Sequence, residues 1–251
     1  MSDVPRGQSP QLWATLRGLL ESFVGTGTPQ VLDCGGGSGS LAVPLASRGA
    51  EVTVVDVSID ALGTLVRRAS EAGVSDRVTA LQGEVESLTE LLAERTFDLV
   101  LAHEVLENVL SLPAALAEIT AATRPGGAIS VVVANPVAVV LGRALSGDLT
   151  GALSALTRSA AETLSLPSLE ELCRSAGLAV ERIDGIGVFS EIVPGIELER
   201  PGAMTALAEL ESATSSRAPY RDIAARLHVI ARRPDIARRP DSAGRPDRSE
   251  S

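Results

Sequence analysis

The run Val31-Leu-Asp-Cys-Gly-Gly-Gly-Ser-Gly-Ser40 carries an apolar segment into glycines at 35, 36, 37 and 39, then into an Ala/Leu-rich stretch. Glycine suits such a turn because it tolerates tight backbone and leaves no Cβ in the path of a ligand lying flat on the chain. The free N–H groups of the helix that follows face the same ligand. Two ligand classes remain open here. Gly37-Ser-Gly39-Ser-Leu-Ala42 satisfies the GxGxxA spacing of dinucleotide loops, whereas Asp33-x-Gly35-x-Gly37-x-Gly39 puts a carboxylate inside the loop. That carboxylate suits a cationic ligand and suits a pyrophosphate poorly.

Further candidates stand at the ends of the next apolar runs. Asp56 closes the run from Glu51 and offers two oxygens to a pair of ribose hydroxyls; its competing role is to cap the following helix, which Ser58 can do instead. Glu84, after the third run, can accept from an adenine amino group or stand as a solvated loop carboxylate. Ala102, His103 and Glu104 end the fourth run and should border a pocket, because open α/β sheets bind ligands outside the carboxyl ends of their strands. His103 can orient a substrate, remove a proton or line the wall. Asn135, ending the fifth run, can donate to an acceptor or to a backbone group. Cys34 and Cys173 are far apart and in no metal-ligand spacing, so neither a metal site nor a disulfide framework is expected, and the cytoplasm is the default compartment.

These residues need a scaffold, and the pattern supplies one. Short β-branched runs at Val31–Asp33, Glu51–Asp56, Val78–Gln82, Phe97–Ala102 and Ala128–Ala134 alternate with helical stretches at Ser40–Arg48, Ile59–Ala72, Ser87–Arg95 and Ala114–Thr123. Such alternation predicts a doubly wound, mostly parallel α/β sheet. An amphipathic helix over Gln11–Val24 precedes it, Pro136–Thr163 and Ser168–Ala176 read as helices after it, and Leu178–Ile183 and Arg226–Ala231 read as late strands separated by a helix at Ala203–Ala213. The expected division is a lead-in over 1–29, a domain over 30–234 with 136–177 as a helical substrate lid, and a disordered Arg/Pro/Asp tail over 235–251.

Composition narrows the function classes. All 22 basic residues are Arg, which excludes a Walker A loop, a Lys Schiff base and a Tyr/Lys hydride-transfer pair. The net charge is −10; six Arg against four acids from Arg232 onward leave −12 on the preceding residues. A body that acidic is not a general nucleic-acid binder, since phosphate contacts need clustered cations. The longest apolar stretch, Ala128–Leu141, falls short of the roughly 20 residues of a spanning helix, and Met1–Pro10 lacks a signal-peptide pattern, so no membrane association is expected.

The acidic glycine loop, Asp56, the Phe97-Asp-Leu99 strand, Arg124-Pro-Gly-Gly127 and the two late strands together resemble class I S-adenosylmethionine-dependent methyltransferases, from about Gln30 to Arg233. The resemblance implies a Rossmann-like seven-stranded sheet with helices on both faces and one late antiparallel strand, and S-adenosyl-L-methionine as cofactor. It puts Gly35, Gly37 and Gly39 under the methionine part, Asp56 at the ribose, Glu84 and Val85 beside the adenine and His103 beside the reacting methyl, with Asp33, Val57 and Ala102 also counted in the cofactor site. Cys34-Gly-Gly-Gly37, His103-Glu-Val-Leu-Glu107, Asn135, the Gly147-Asp-Leu149 turn, Gly187-Val-Phe189, Leu207–Glu211, Pro219-Tyr220 and the segment from Arg226 to Pro234 resemble, more narrowly, the bacterial tRNA 5-carboxymethoxyuridine methyltransferases. Those enzymes esterify the carboxylate of a modified wobble uridine. A carboxylate acceptor is ionised at neutral pH and needs no general base, only a cation to hold it. Arg143, Arg200 and Arg226 are candidates, and Arg226, opening a strand near His228, is preferred. Three roles follow: a tRNA methyltransferase, a small-molecule methyltransferase, and a cofactor-binding protein without turnover.

Overall fold

A computed structural model of the chain describes residues 4–162 and 164–235. Seven strands form one sheet: β1 (Gln30–Cys34), β2 (Glu51–Asp56), β3 (Val78–Gln82), β4 (Phe97–His103), β5 (Thr123–Ala134), β6 (Ala179–Ile186) and β7 (Arg226–Arg232). Their order is β3-β2-β1-β4-β5-β7-β6, parallel except that β7 runs antiparallel to both of its neighbours. Chain progression reverses between β1 and β4. The two connections therefore leave on opposite faces and open a crevice at the carboxyl ends of these strands, which is where such sheets bind ligands.

The helices are α1 (Pro10–Phe23), α2 (Ala42–Ala46), α3 (Ile59–Glu71), α4 (Leu88–Leu91), α5 (Leu112–Ala122), α6 (Pro136–Leu145), α7 (Leu149–Glu162), α8 (Leu166–Ser175), α9 (Gly195–Leu198) and α10 (Ala203–Thr214). Because both faces of the sheet are covered, its central strands are nearly uninterrupted apolar runs. Leu32, Val100, Ile129 and Val131 face a core shared with α5 and α8, whereas Val31, Leu99, Leu101 and Val132 alternate onto the face covered by α1, α2 and α3. Ser9 caps α1 ahead of Pro10, and Leu12, Trp13, Leu16, Leu20 and Phe23 bury its apolar stripe.

The structure departs from the predicted elements at several ends. The stretch 40–48 keeps only α2, and 87–95 keeps only α4, because Ala93 and Glu94 take positive φ (48° and 61°) and close the helix after one turn. β5 starts at Thr123 instead of Ala128: Gly126 donates to Arg233 O and Arg233 donates to Gly127 O, which ties the Pro-Gly-Gly turn to the end of β7. The 136–163 stretch is two helices, broken where Gly147 adopts φ +84°. α8 ends before Gly177 at φ +75°, as expected of a left-handed C′ residue. The tail assigned to 235–251 lies outside the described residues from 236 onward. Among the described residues no helix is long and apolar enough to cross a membrane.

Candidate active site

The glycine loop is held from below and from both sides. Gly35 (φ +70°) donates to Val55 O at 2.7 Å, latching the loop to β2. A Cβ on Gly36 would sit 2.5 Å from the Asp33 carboxyl and 2.9 Å from Val54, so this glycine exists to let Asp33 lie beneath the turn. Gly37 (φ +53°) differs: its nearest neighbour to an added Cβ is Asp56 Oδ2 at 3.7 Å, leaving the space above it open to a ligand. Gly39 is a correction to the sequence reading. Its Cβ would strike Leu65 of α3 at 2.3 Å, so it serves helix–sheet packing and does not underlie a ligand. Arg68 of α3 adds hydrogen bonds to Ser38 O and Oγ at 3.1 and 3.2 Å, a support no sequence pattern indicated.

Asp56 faces the same loop. Its Oδ2 accepts from Gly37 N at 2.9 Å and its Oδ1 from Ser58 N at 2.8 Å, while Ser58 itself caps α3. A carboxylate has about four acceptor positions, so two remain for ligand hydroxyls. Val57 and Glu84 are exposed along the same edge, at the ends of β2 and β3, whereas Val85 is buried in the core beside Leu88. Ala102 is likewise buried within the α5-side core and does not line the cavity, because alternation along β4 points it away from His103. Burial, with a further push from Asp56, raises the Asp33 carboxyl from its usual range to about 7. Such a carboxyl ionises readily once a cation arrives.

Beside the loop lies a cavity of about 650 Å³ walled by Asp33, Gly35–Ser38, His103, Glu104 and Arg226. Its cover comes from segments remote in sequence: Gly7–Leu12 ahead of and into α1, and Gly187 to Glu211, with Met204, Leu207 and Ala208 of α10 forming an apolar wall. Gln8 Nε2 donates to Ser40 Oγ at 3.3 Å, joining this cover to the loop. The buried Glu211 accepts from the backbone N–H groups of Val188, Phe189 and Ser190, each at 2.9 Å, and so fixes the segment after β6. Among the described residues, none of 136–177 lines the cavity, where a lid over that stretch was expected. Periodicity identified those helices without showing which way they fold back.

The three candidate catalytic residues separate. His103 Nε2 and His228 Nε2 each lie 2.8 Å from Ser130 Oγ, joining β4, β5 and β7 on one sheet face. Burial lowers His103 to about 4, and burial with His103 and Arg182 nearby lowers His228 to about 3, so both rings are neutral at physiological pH. The remaining His103 nitrogen, Nδ1, is enclosed without a partner; the ring borders the cavity without presenting a nitrogen to it. Asn135 is excluded from acceptor chemistry. Its Nδ2 donates to Asp222 O and Ala224 O at 2.9 and 2.8 Å, and its Oδ1 accepts from Val137 N, capping α6. An Asn135→Ala chain should lose about 3 kcal/mol of stability in a denaturant titration, since the buried carbonyls and N–H keep no partner, while cofactor affinity stays unchanged. Arg226 does reach the cavity. It pairs with Glu104 and lies 4.0 Å from Glu191, and Glu104 adopts φ +55°, the left-handed region that costs an L side chain energy.

Residues 31–127 match a family model described as a methyltransferase domain. With the sheet order, the glycine loop and the loop and strand-end carboxylates, this makes the chain an S-adenosyl-L-methionine-dependent methyltransferase. The chain is 28% identical over 237 residues to the tRNA 5-carboxymethoxyuridine methyltransferase of Escherichia coli (strain K12), covering 91% of this chain and 90% of that protein. It is 26% identical over 159 residues to the ubiquinone biosynthesis O-methyltransferase of Rickettsia canadensis (strain McKiel), covering 62% and 65% respectively. A solved S-adenosylmethionine-dependent methyltransferase from Mesorhizobium loti shares the fold, with a TM-score of 0.59 at 21% identity over 88% of this chain and 97% of that one.

The site fits the cofactor. Open space over Gly37, two carboxylates for a ligand with an ammonium and a ribose, and a cavity within the roughly 300–1,000 Å³ of small-molecule sites are all present. When bound, the cofactor supplies a methyl group on a positively charged sulfur, ready for displacement by a nucleophile.

Proposed function

We propose that the chain methylates the carboxylate of 5-carboxymethoxyuridine in tRNA. Asp33 and the loop from Gly35 to Gly37 hold the methionine part of the cofactor, Asp56 holds the ribose, Val57 and Glu84 flank the adenine, and His103 walls the reacting end. The observation that carries the choice of acceptor is Arg226, a guanidinium at the cavity across from the loop, together with the near-complete overlap with the tRNA-modifying relative. A guanidinium grips a carboxylate with two parallel hydrogen bonds, so an acceptor carboxylate takes over the place that Glu104 occupies beside it. The acceptor arrives ionised, and neither His103 nor any other side chain has to remove a proton. Positioning in a closed pocket then supplies most of the rate, an effect worth up to roughly 7–11 kcal/mol.

A second reading, a small-molecule acceptor at the same cofactor site, is favoured by the apolar wall of Met204, Leu207 and Ala208 and by the net negative charge of the sequence. One measurement separates the two. In a deletion strain, mass spectrometry of tRNA nucleosides should show the free acid in place of its methyl ester, restored by the wild-type chain and not by Arg226→Gln. An unchanged nucleoside profile removes the tRNA reading and leaves the second.

A further inference from the structure

No described side chain of the α6–α7 hairpin lines the cavity, and the hairpin stands off the body of the protein. Its two helices pack chiefly on each other, with the turn Arg221–Ile223 touching α6 at the base, where Asn135 ties the hairpin to the carbonyls of Asp222 and Ala224. Ala152 and Ala155 form its buried inner side. The outer surface is aliphatic. α7 exposes a stripe at i, i+4 and i+7, namely Leu149, Leu153 and Leu156 at 69%, 66% and 57%, and α6 exposes Val137, Leu141 and Leu145 at fourfold spacing. A soluble surface seldom gathers so many large aliphatics without a partner. Helices this short also draw most of their stability from packing an apolar face.

Charge indicates what covers it. Between Pro136 and Thr157 the only charged residues are Arg143 and Asp148. They pair with each other at 3.5 Å, and Asp148 Oδ1 also accepts from Gly151 N to start α7; Gly151 has no Cβ to obstruct them. Within 136–157 each charge therefore has an opposite partner, and this stretch offers no run of cations to a polynucleotide backbone. An uncharged aliphatic surface is by contrast complementary to itself, as a two-fold interface requires. The six residues expose on the order of 600 Å² per chain, so a symmetric pair that covers them fully buries about 1,200 Å² from these side chains, at the lower bound of stable interfaces.

We propose that the α6–α7 hairpin is a self-association surface, pairing with the same hairpin of a second copy of the chain to close a four-helix bundle. The inference is independent of the methyl acceptor. Sedimentation of the full chain at micromolar concentration should give a dimer, and the double substitution Leu153→Glu/Leu156→Glu should give a monomer that melts as the wild type does and still binds S-adenosyl-L-methionine. Leu110→Glu, at a leucine 96% exposed elsewhere, serves as the control and should leave the dimer intact. A monomeric wild type, a dimer that survives the double substitution, or equal dissociation by the control would each overturn the proposal. Wild-type hydrogen exchange gives a readout that needs no variant: exchange along α6 and α7 should slow as protein concentration rises, and concentration-independent exchange would equally overturn it.

Discussion

An Asp56→Ala chain is expected to bind S-adenosyl-L-methionine about 100-fold more weakly than the wild type, a loss of ~2.7 kcal/mol. Two contributions add to this. The carboxylate orients Gly37 through its N–H at 2.9 Å, so removing it loosens the loop at the one position where space above the backbone is open. Its unused acceptor positions are also lost to the ribose hydroxyls, and hydrogen bonds to a charged group contribute about 1.5–3 kcal/mol. Calorimetric titration of the purified variants reads the effect directly. Asp56→Asn, which keeps one acceptor oxygen, should fall between the two. Affinity within threefold of wild type in Asp56→Ala would reduce the residue to a structural turn.

Cofactor affinity should also rise steeply with pH, by up to about tenfold per unit below pH 7 and levelling above it. The cause is Asp33, whose carboxyl is raised to about 7 by burial and then by Asp56, and which must be ionised to meet the cofactor's positive charge. Binding therefore releases a proton wherever the empty site is still protonated. The sign for stability is opposite. The folded-state pKa lies above the unfolded one, so this carboxyl stabilises the cofactor-free protein at low pH, and that contribution is lost as pH rises toward and through about 7. Calorimetry in buffers of different ionisation enthalpy from pH 5.5 to 8 should show proton release that vanishes in Asp33→Asn. A profile shared by the wild type and Asp33→Asn would mean that another group, such as the ligand's own amine, sets the slope.

The juxtaposition of the glycine loop with Asp56 was legible because it is local. A strand, a tight glycine turn and a helix occupy one short stretch of chain, and Asp56 follows at the next strand's tip; parallel pairing of β1 with β2 brings Gly37 and Asp56 into hydrogen-bond contact without further information. Gly39 was misassigned for an equally physical reason: a glycine required by Leu65 packing looks the same in sequence as one required by a ligand. Asn135 shows the limit again. Its type and place at a strand end fit an acceptor contact, yet the backbone near Ala224 arrives from far along the chain and takes both of its donors.

By itself, the sequence determined the strands, their alternation with helices and the tight glycine turn after the first strand, because each depends on side-chain periodicity or on backbone freedom within a few residues, while the late reversal of direction and the ligand class came from the family resemblance. Only the tertiary structure decided what encloses the acceptor end: Gly7–Leu12 and the 186–211 segment cover the cavity while the α6–α7 hairpin turns outward. Long-range packing makes that choice. An apolar helix carries the same pattern whether it closes over a pocket, stands clear of it or meets a second chain.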